Sequence, residues 1–215
     1  MYELFKLTLP VKGSVVECGV FRGFGLMSWA KLSTILEPEN LTRRIYGFDT
    51  FEGFPSLAAK DENKHTQTHV GDLHASSYEE LLKLIELYDQ DRFLGHIPKV
   101  SLVKGDIAAT VPRFIENNPH LLVSLLFIDC DLYEPTKAAL KHFLPRMPRG
   151  AVLAFDELET HVRLPLTTLA AAQEGARPDA HRFVRGAVFA ADHLRPLIDT
   201  SVIVESIAAS IDAKI

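Results

Sequence analysis

Cysteine is scarce in this chain, at two of 215 residues, and neither long apolar runs nor basic blocks occur. Cys18 and Cys130 each sit inside an apolar run, outside any CxxC pair or spaced framework, which excludes a disulfide scaffold and fits a reducing, cytoplasmic compartment. Lys and Arg never run longer than a pair and the formal net charge is −5, so the concentrated positive field that nucleic acid requires is missing. The longest apolar stretch, residues 121–130, is broken by Ser124 and carries Asp129, too short to span a bilayer. Residues 1–10 alternate apolar and charged side chains and lack a signal-peptide core and cleavage site. Neither nucleic acid nor membrane is therefore expected as a partner. What is present, 47% hydrophobic and 24% charged residues, suits one globular domain over residues 1–215.

The apolar residues alternate between strand-like runs and helical spacing. Residues 15–20 form a β-branched run entered through Gly13 and left through a glycine-rich turn; residues 26–36 then carry helical periodicity through Leu26, Trp29, Ala30, Leu32 and Leu36. The unit recurs as strand 45–48 with helix 78–88, strand 100–103 with a helix around 111–116, and strand 121–128 with helix 135–143, before a last strand at 151–155. Such alternation predicts an α/β fold, a doubly wound and mostly parallel sheet with helices on both faces. Strands 121–128 and 151–155 are almost wholly apolar, as strands covered on two sides should be. The polar stretch 61–72, with His65 and His69, reads as a loop. Beyond Glu157 the pattern weakens, with an Ala-rich stretch over 164–180 and candidate strands at 182–191 and 200–206.

An open parallel sheet binds its ligand where strands deliver their carboxyl ends. Glu17, Gly19, Gly23, Asp49, Asp106, Asp129 and Asp156 all fall at or just past such an end. The first turn spaces its glycines as GxxxGxG (Gly19, Gly23, Gly25), letting the backbone pass close to a ligand and freeing helix amides to donate; it serves equally as a tight strand-to-helix turn. That spacing is not the GxGxxG of a nicotinamide-dependent dehydrogenase. Asp49, one βαβ unit later, stands where an acid accepts the hydroxyls of an adenosine ribose; the other readings are a loop carboxylate or a cap for the segment after Thr50. Asp106 reads evenly as an adenine contact or as the cap of the next helix.

The densest chemistry is FIDCDLYEP at residues 127–135 beside LAFDEL at 153–158. Two neighbouring strands each end in two acids, and gathering carboxylates in one cleft is costly unless a cation or protons neutralise them. Oxygen donors select a hard ion such as Mg²⁺, which would lower the pKa of a bound hydroxyl. Alternatively Asp131 and Glu157 are a helix cap and a surface acid and no metal binds.

With VVECGVFRG at residues 15–23, YGFDTFEGFP at 46–55, FIDCDLYEPTKAAL at 127–140 and GAVLAFDEL at 150–158, the chain resembles the macrocin O-methyltransferase (TylF-like) family from about residue 2 to 158. The resemblance implies a class I S-adenosylmethionine-dependent methyltransferase acting on a small-molecule acceptor, a sugar hydroxyl. It implies S-adenosylmethionine contacts from Glu17 and Gly19, with Asp49 on the ribose and Asp106 toward adenine; Gly23 and Asp129, at the same strand ends, are expected to join them. It also implies a Mg²⁺ site at Asp129, Asp156 and Glu157, where relatives commonly carry a second Asp in place of Glu157. Relatives have helices ahead of the first strand that cover substrate and build a homo-oligomer, and they close the sheet in the order 3214576; residues 159–215 are poorly recognised. The transfer needs a base. His74, just before the Ser76 helix cap, is the candidate, with His65 and His69 as neighbours and Asp129 as the carboxylate choice; each histidine reads also as an exposed loop residue. The rival function is a non-catalytic, degenerate S-adenosylmethionine-binding domain.

Overall fold

The computed structural model describes residues 1–55, 69–75, 77–156 and 188–190. Its first element is a helix, α1 (Tyr2–Thr8), where the alternating apolar and charged pattern gave no element; Leu4, Phe5 and Thr8 are its buried side. No side chain caps α1, and seven residues are too few for a helix to stand alone, so packing holds it. Phe5 stacks on Trp29 with ring centroids 6.5 Å apart.

The expected strand–helix alternation follows: β1 (Ser14–Cys18), α2 (Phe24–Leu36), β2 (Ile45–Asp49), α3 (Tyr78–Asp91), β3 (Val100–Lys104), α4 (Ile107–Asn117), β4 (Val123–Ile128), α5 (Tyr133–Phe143) and β5 (Val152–Phe155). Strands β1 to β5 are parallel in the order 3-2-1-4-5. A short strand, β6 (Val188–Ala190), lies within the expected 182–191 run and pairs antiparallel with β5. The 200–206 run, the Ala-rich stretch, His65 and Glu157 fall outside the described residues. Among the described residues no helix is long and apolar enough to cross a membrane.

Strand alternation divides the core. Val16, Cys18, Phe48, Leu126, Ile128, Leu153 and Phe155 face α4 and α5, packing on Val111, Leu140 and Phe143. Val15, Ile45, Leu125, Phe127, Val152 and Ala154 face α1, α2 and α3 through Phe5, Leu26, Trp29, Leu81 and Ile85. Every residue of β1, β4 and β5 is buried, Glu17 of β1 included, which is why β4 and β5 read as almost wholly apolar sequence.

Arg43 ties α1 to the amino ends of the strands. It is 2% exposed, and its guanidinium donates to Glu37 Oε1 at 2.6 Å, to the carbonyls of Thr8, Val11 and Gly13 at 3.0 Å, and to Ser124 Oγ. A buried arginine is tolerated only when its donors are met, and here they are.

Candidate active site

The sheet order reverses between β1 and β4, and the strand ends open there into a crevice. Gly19 and Phe21 after β1, Asp49, Thr50 and Gly53 at the end of β2, Asp106 and Ile107 after β3, and Asp129 to Leu132 after β4 line it, whereas Asp156 after β5 does not. Phe54, Pro55, Leu73 and Pro135 complete it. The ladder continues one residue past the strands and fixes these positions. Gly19 N–H donates to Phe48 O at 2.9 Å, Gly105 N–H to Asp49 O at 2.9 Å, Asp129 N–H to Cys18 O at 2.7 Å, and Asp156 N–H to Ile128 O at 3.1 Å.

Gly19, at φ 91°, lies so close to β4 that a Cβ would stand 1.8 Å from Asp129 O. A Cβ on Gly23, the N-cap of α2 at φ 80°, would meet Leu81 Cδ2 at 2.2 Å. These glycines are therefore required by the protein's own packing, whatever the crevice holds.

Asp49 is fully engaged with backbone. Its Oδ2 accepts the Val20 and Phe21 N–H groups at 2.7 and 2.8 Å, and its Oδ1 accepts the Phe51 N–H at 2.7 Å. Asp106 caps α4, accepting the Ala108 N–H at 2.9 Å, while also lining the crevice. Both readings of Asp106 thus remain compatible in one geometry.

Glu17 is placed differently. As alternate residues of β1, Val15 and Glu17 share a face, so the Glu17 carboxyl turns under α2, 2% exposed, and is absent from the crevice lining. Its Oε2 and the Trp29 Nε1 are both buried without a hydrogen-bond partner. Burial pushes the carboxyl well above the ordinary 4.5, the Asp129 and Asp49 charges add to it, and the nearby Trp29 indole and Leu26 backbone oppose it only in part. Burial thereby favours the protonated form of Glu17 beneath the site.

One sequence reading of Asp131 is a helix cap. The N-cap of α5 is instead Leu132, with no side-chain cap bond, and Asp131 lines the crevice at φ 52°. A left-handed aspartate inside the DxD run is the feature that period and spacing did not disclose. His74 is exposed, beside Glu52, whose carboxyl is held below its usual range first by its bond to Lys104 and to a lesser extent by His74. It does not line the crevice. His69 is exposed in the same segment, its N–H donating to Asp72 Oδ2 at 2.7 Å. Cys130 does line it, with its thiol pushed up to about 12 by burial, which leaves it protonated and poorly nucleophilic.

For the magnesium expectation, Asp129 and Asp156 follow paired residues of adjacent strands, Ile128 and Phe155. The third expected ligand, Glu157, is outside the described residues, and among the described residues no group of three His, Cys, Asp or Glu side chains is placed to hold a metal.

A 3-2-1-4-5 parallel sheet with acids at the ends of β2, β3 and β4 and a crevice at its switch point defines a Rossmann-like methyltransferase fold. The family model for macrocin O-methyltransferase (TylF) matches residues 7–174, and the chain belongs to that family. A 4′-O-methyltransferase of 8-demethyl-8-(2,3-dimethoxy-α-L-rhamnosyl)-tetracenomycin C from Streptomyces olivaceus is 30% identical over 156 residues, 68% of this chain and 53% of that protein. The chain thus spans about half the length of the curated relative it matches. The crystal structure of the calicheamicin methyltransferase CalS11 superposes with a TM-score of 0.73 at 33% identity, covering 87% of this chain and 76% of the other. The apo structure of CalS11, described as a TDP-rhamnose 3′-O-methyltransferase, gives 0.64 at 31% identity, covering 87% and 75%.

Proposed function

We propose that this chain is an O-methyltransferase that moves a methyl group from S-adenosylmethionine to a hydroxyl of a sugar on a natural-product glycoside. The observation that carries the reading is the convergence of Gly19, Asp49, Asp106 and Asp129 on one crevice at the switch point. The lining suits an adenosyl ligand: Phe54, Ile107 and Leu132 offer apolar surface to a flat ring, and the carboxylates of Asp49 and Asp106 offer acceptors to hydroxyl and amino groups. Membership in the family and the sugar-directed relatives support the acceptor class.

Bound S-adenosylmethionine supplies an electrophilic methyl on a sulfonium. The protein's part is to align an acceptor oxygen with it and to receive a proton. Asp129 and Asp131, the carboxylates after β4, are the bases of this reading, because they line the crevice and His74 does not. Their negative charge also favours a cationic ligand over a neutral one. Transfer to the acceptor oxygen would break the sulfonium carbon–sulfur bond and leave a neutral thioether, and the acceptor's O–H proton would pass to a carboxylate oxygen of Asp129 or Asp131.

A Mg²⁺ ion held by Asp129, Asp156 and Glu157 belongs to the expectation and is tested separately; no step here depends on it. The test is calorimetry with S-adenosylhomocysteine and with NAD, followed by labelled methyl transfer to a panel of rhamnosides with and without EDTA. Binding of the first ligand alone and turnover on a glycoside are expected. NAD binding, or cofactor binding without turnover on any acceptor, contradicts the proposal, and turnover untouched by EDTA removes the metal.

A further inference from the structure

The segment just ahead of α3 is seated on the loop that follows β2. Phe54 N–H donates to Asp72 O at 3.1 Å and Gly71 N–H to Phe54 O at 3.0 Å, while Asp72 N–H returns to His69 O at 3.1 Å. The approach is close: a Cβ on Gly53, which stands at φ 80°, would lie 2.5 Å from Gly71 O and 2.6 Å from Asp72 O. The segment therefore docks only on a glycine. It fixes the next residue, Leu73, at the crevice, with φ 58° and 52% exposed. A left-handed leucine is strained, and one left half in water gains little core packing to offset the strain. Two more non-glycine residues of the lining are left-handed, Phe21 at φ 51°, itself 43% exposed, and Asp131 at φ 52°. Strained backbone thus gathers at this crevice, as it does where a fold holds side chains against a ligand.

Burial separates the mouth of the crevice from its depth. Phe21, Pro55, Leu73 and Asp131 are the exposed residues of the lining, whereas Gly19, Asp49, Asp106 and Asp129 are partly buried. The mouth is therefore three apolar side chains and one carboxylate. In the reading above the adenosyl ligand takes the depth and the sugar hydroxyl reaches Asp129 or Asp131, so whatever the sugar is attached to lies at the mouth. Apolar side chains there shed water for an apolar ring system, and the Asp131 carboxylate repels a phosphate. Arg22 stands over the Phe21 ring, 5.5 Å from its centroid, and does not itself line the crevice. We propose that Phe21, Pro55 and Leu73 hold the aglycone of the acceptor, with Leu73 as the specificity-determining residue, so that the sugar is methylated after it has been joined to an apolar aglycone and not while it is carried on a nucleoside diphosphate. Glycosyl transfer is then the class of reaction that supplies the substrate. This assignment rests on the O-methyltransferase reading given above.

The test is steady-state methyl transfer by the full chain to 4-nitrophenyl α-L-rhamnoside, methyl α-L-rhamnoside and TDP-rhamnose, with the wild type, Leu73→Ala and Leu73→Met. The wild type is expected to favour the aryl rhamnoside over the other two by about ten-fold in kcat/KM. Leu73→Ala raises KM for the aryl rhamnoside by about ten-fold, keeps kcat within about two-fold and leaves the methyl rhamnoside within about two-fold. Leu73→Met restores apolar bulk, so its KM for the aryl rhamnoside stays within about two-fold of the wild type. Calorimetry with S-adenosylhomocysteine gives wild-type affinity for both variants, because the side chain meets the acceptor and not the cofactor. TDP-rhamnose used as well as the aryl rhamnoside overturns the proposal, as does a Leu73→Ala variant that loses equally on both rhamnosides or loses S-adenosylhomocysteine affinity. Turnover of TDP-rhamnose alone overturns the aglycone assignment and leaves sugar O-methylation standing. No turnover of any of the three acceptors by a protein that binds S-adenosylhomocysteine overturns both.

Discussion

The Glu17 carboxyl lies against the α-carbon of Gly25: a methyl group built there would stand 2.4 Å from Oε1 and 2.8 Å from Oε2. Gly25 is the second residue of α2, where alanine ordinarily improves a helix by about 1 kcal/mol. Because Glu17 is buried, moving its carboxyl away must displace packed neighbours, so Gly25→Ala is expected to reverse that sign and cost about 1–3 kcal/mol as overpacking. Urea midpoints measure it; a stabilised variant contradicts the packing.

Burial holds the Glu17 carboxyl above its ordinary 4.5. The folded protein therefore binds this proton more tightly than the unfolded chain. Its stabilising contribution is fully present below pH 4.5 and is lost as pH rises through the folded value. Glu17→Gln cannot titrate, so the stability of the wild type relative to this variant falls over that window by up to about 1.4 kcal/mol per pH unit. Denaturation from pH 4 to pH 8 reads the slope, and a constant difference rules the neutral acid out.

Much of this fold is legible in sequence for a physical reason. Strands β4 and β5 are buried on both faces and appear as apolar runs, and the glycine after β1 and the aspartate after β4 mark the edge of the crevice. What escaped depends on contacts across the chain. Helix α1 carries its buried Leu4, Phe5 and Thr8 in too short a span to show a period, and it is held by Arg43, some 35 residues away. Strand alternation put Glu17 on the α2 face, whereas its position near a strand end had suggested a ligand. The engagement of Asp49 with Val20 and Phe21 joins the end of β2 to the turn after β1, which no local pattern records.

Arg43→Ala removes donors from three carbonyls, Ser124 and Glu37, leaving Glu37 without its close cation. Breaking a buried pair of this kind costs about 3–5 kcal/mol. Arg43→Lys also falls short, since an ammonium cannot reach as many acceptors. Chemical denaturation checks both; a loss below about 1 kcal/mol shows that α1 docks without Arg43.

The cap and ligand roles of Asp106 separate by substitution. Asp106→Ser keeps an N-cap oxygen and therefore keeps Tm, while Asp106→Ala loses about 1 kcal/mol. If the carboxylate also reaches adenine, both variants bind S-adenosylhomocysteine about ten-fold more weakly. Wild-type affinity in Asp106→Ser leaves the cap as its sole role.

Methyl transfer within this crevice is measured most directly by incubating the protein with S-adenosylmethionine and a rhamnosylated polyketide, then following product mass for the wild type, Asp129→Asn and Asp131→Asn. The account predicts one added methyl on the sugar, with turnover reduced by about two orders of magnitude or more in at least one variant that still binds S-adenosylhomocysteine. Full turnover in both variants, or no methylated sugar from a wild-type protein that binds the cofactor, contradicts it.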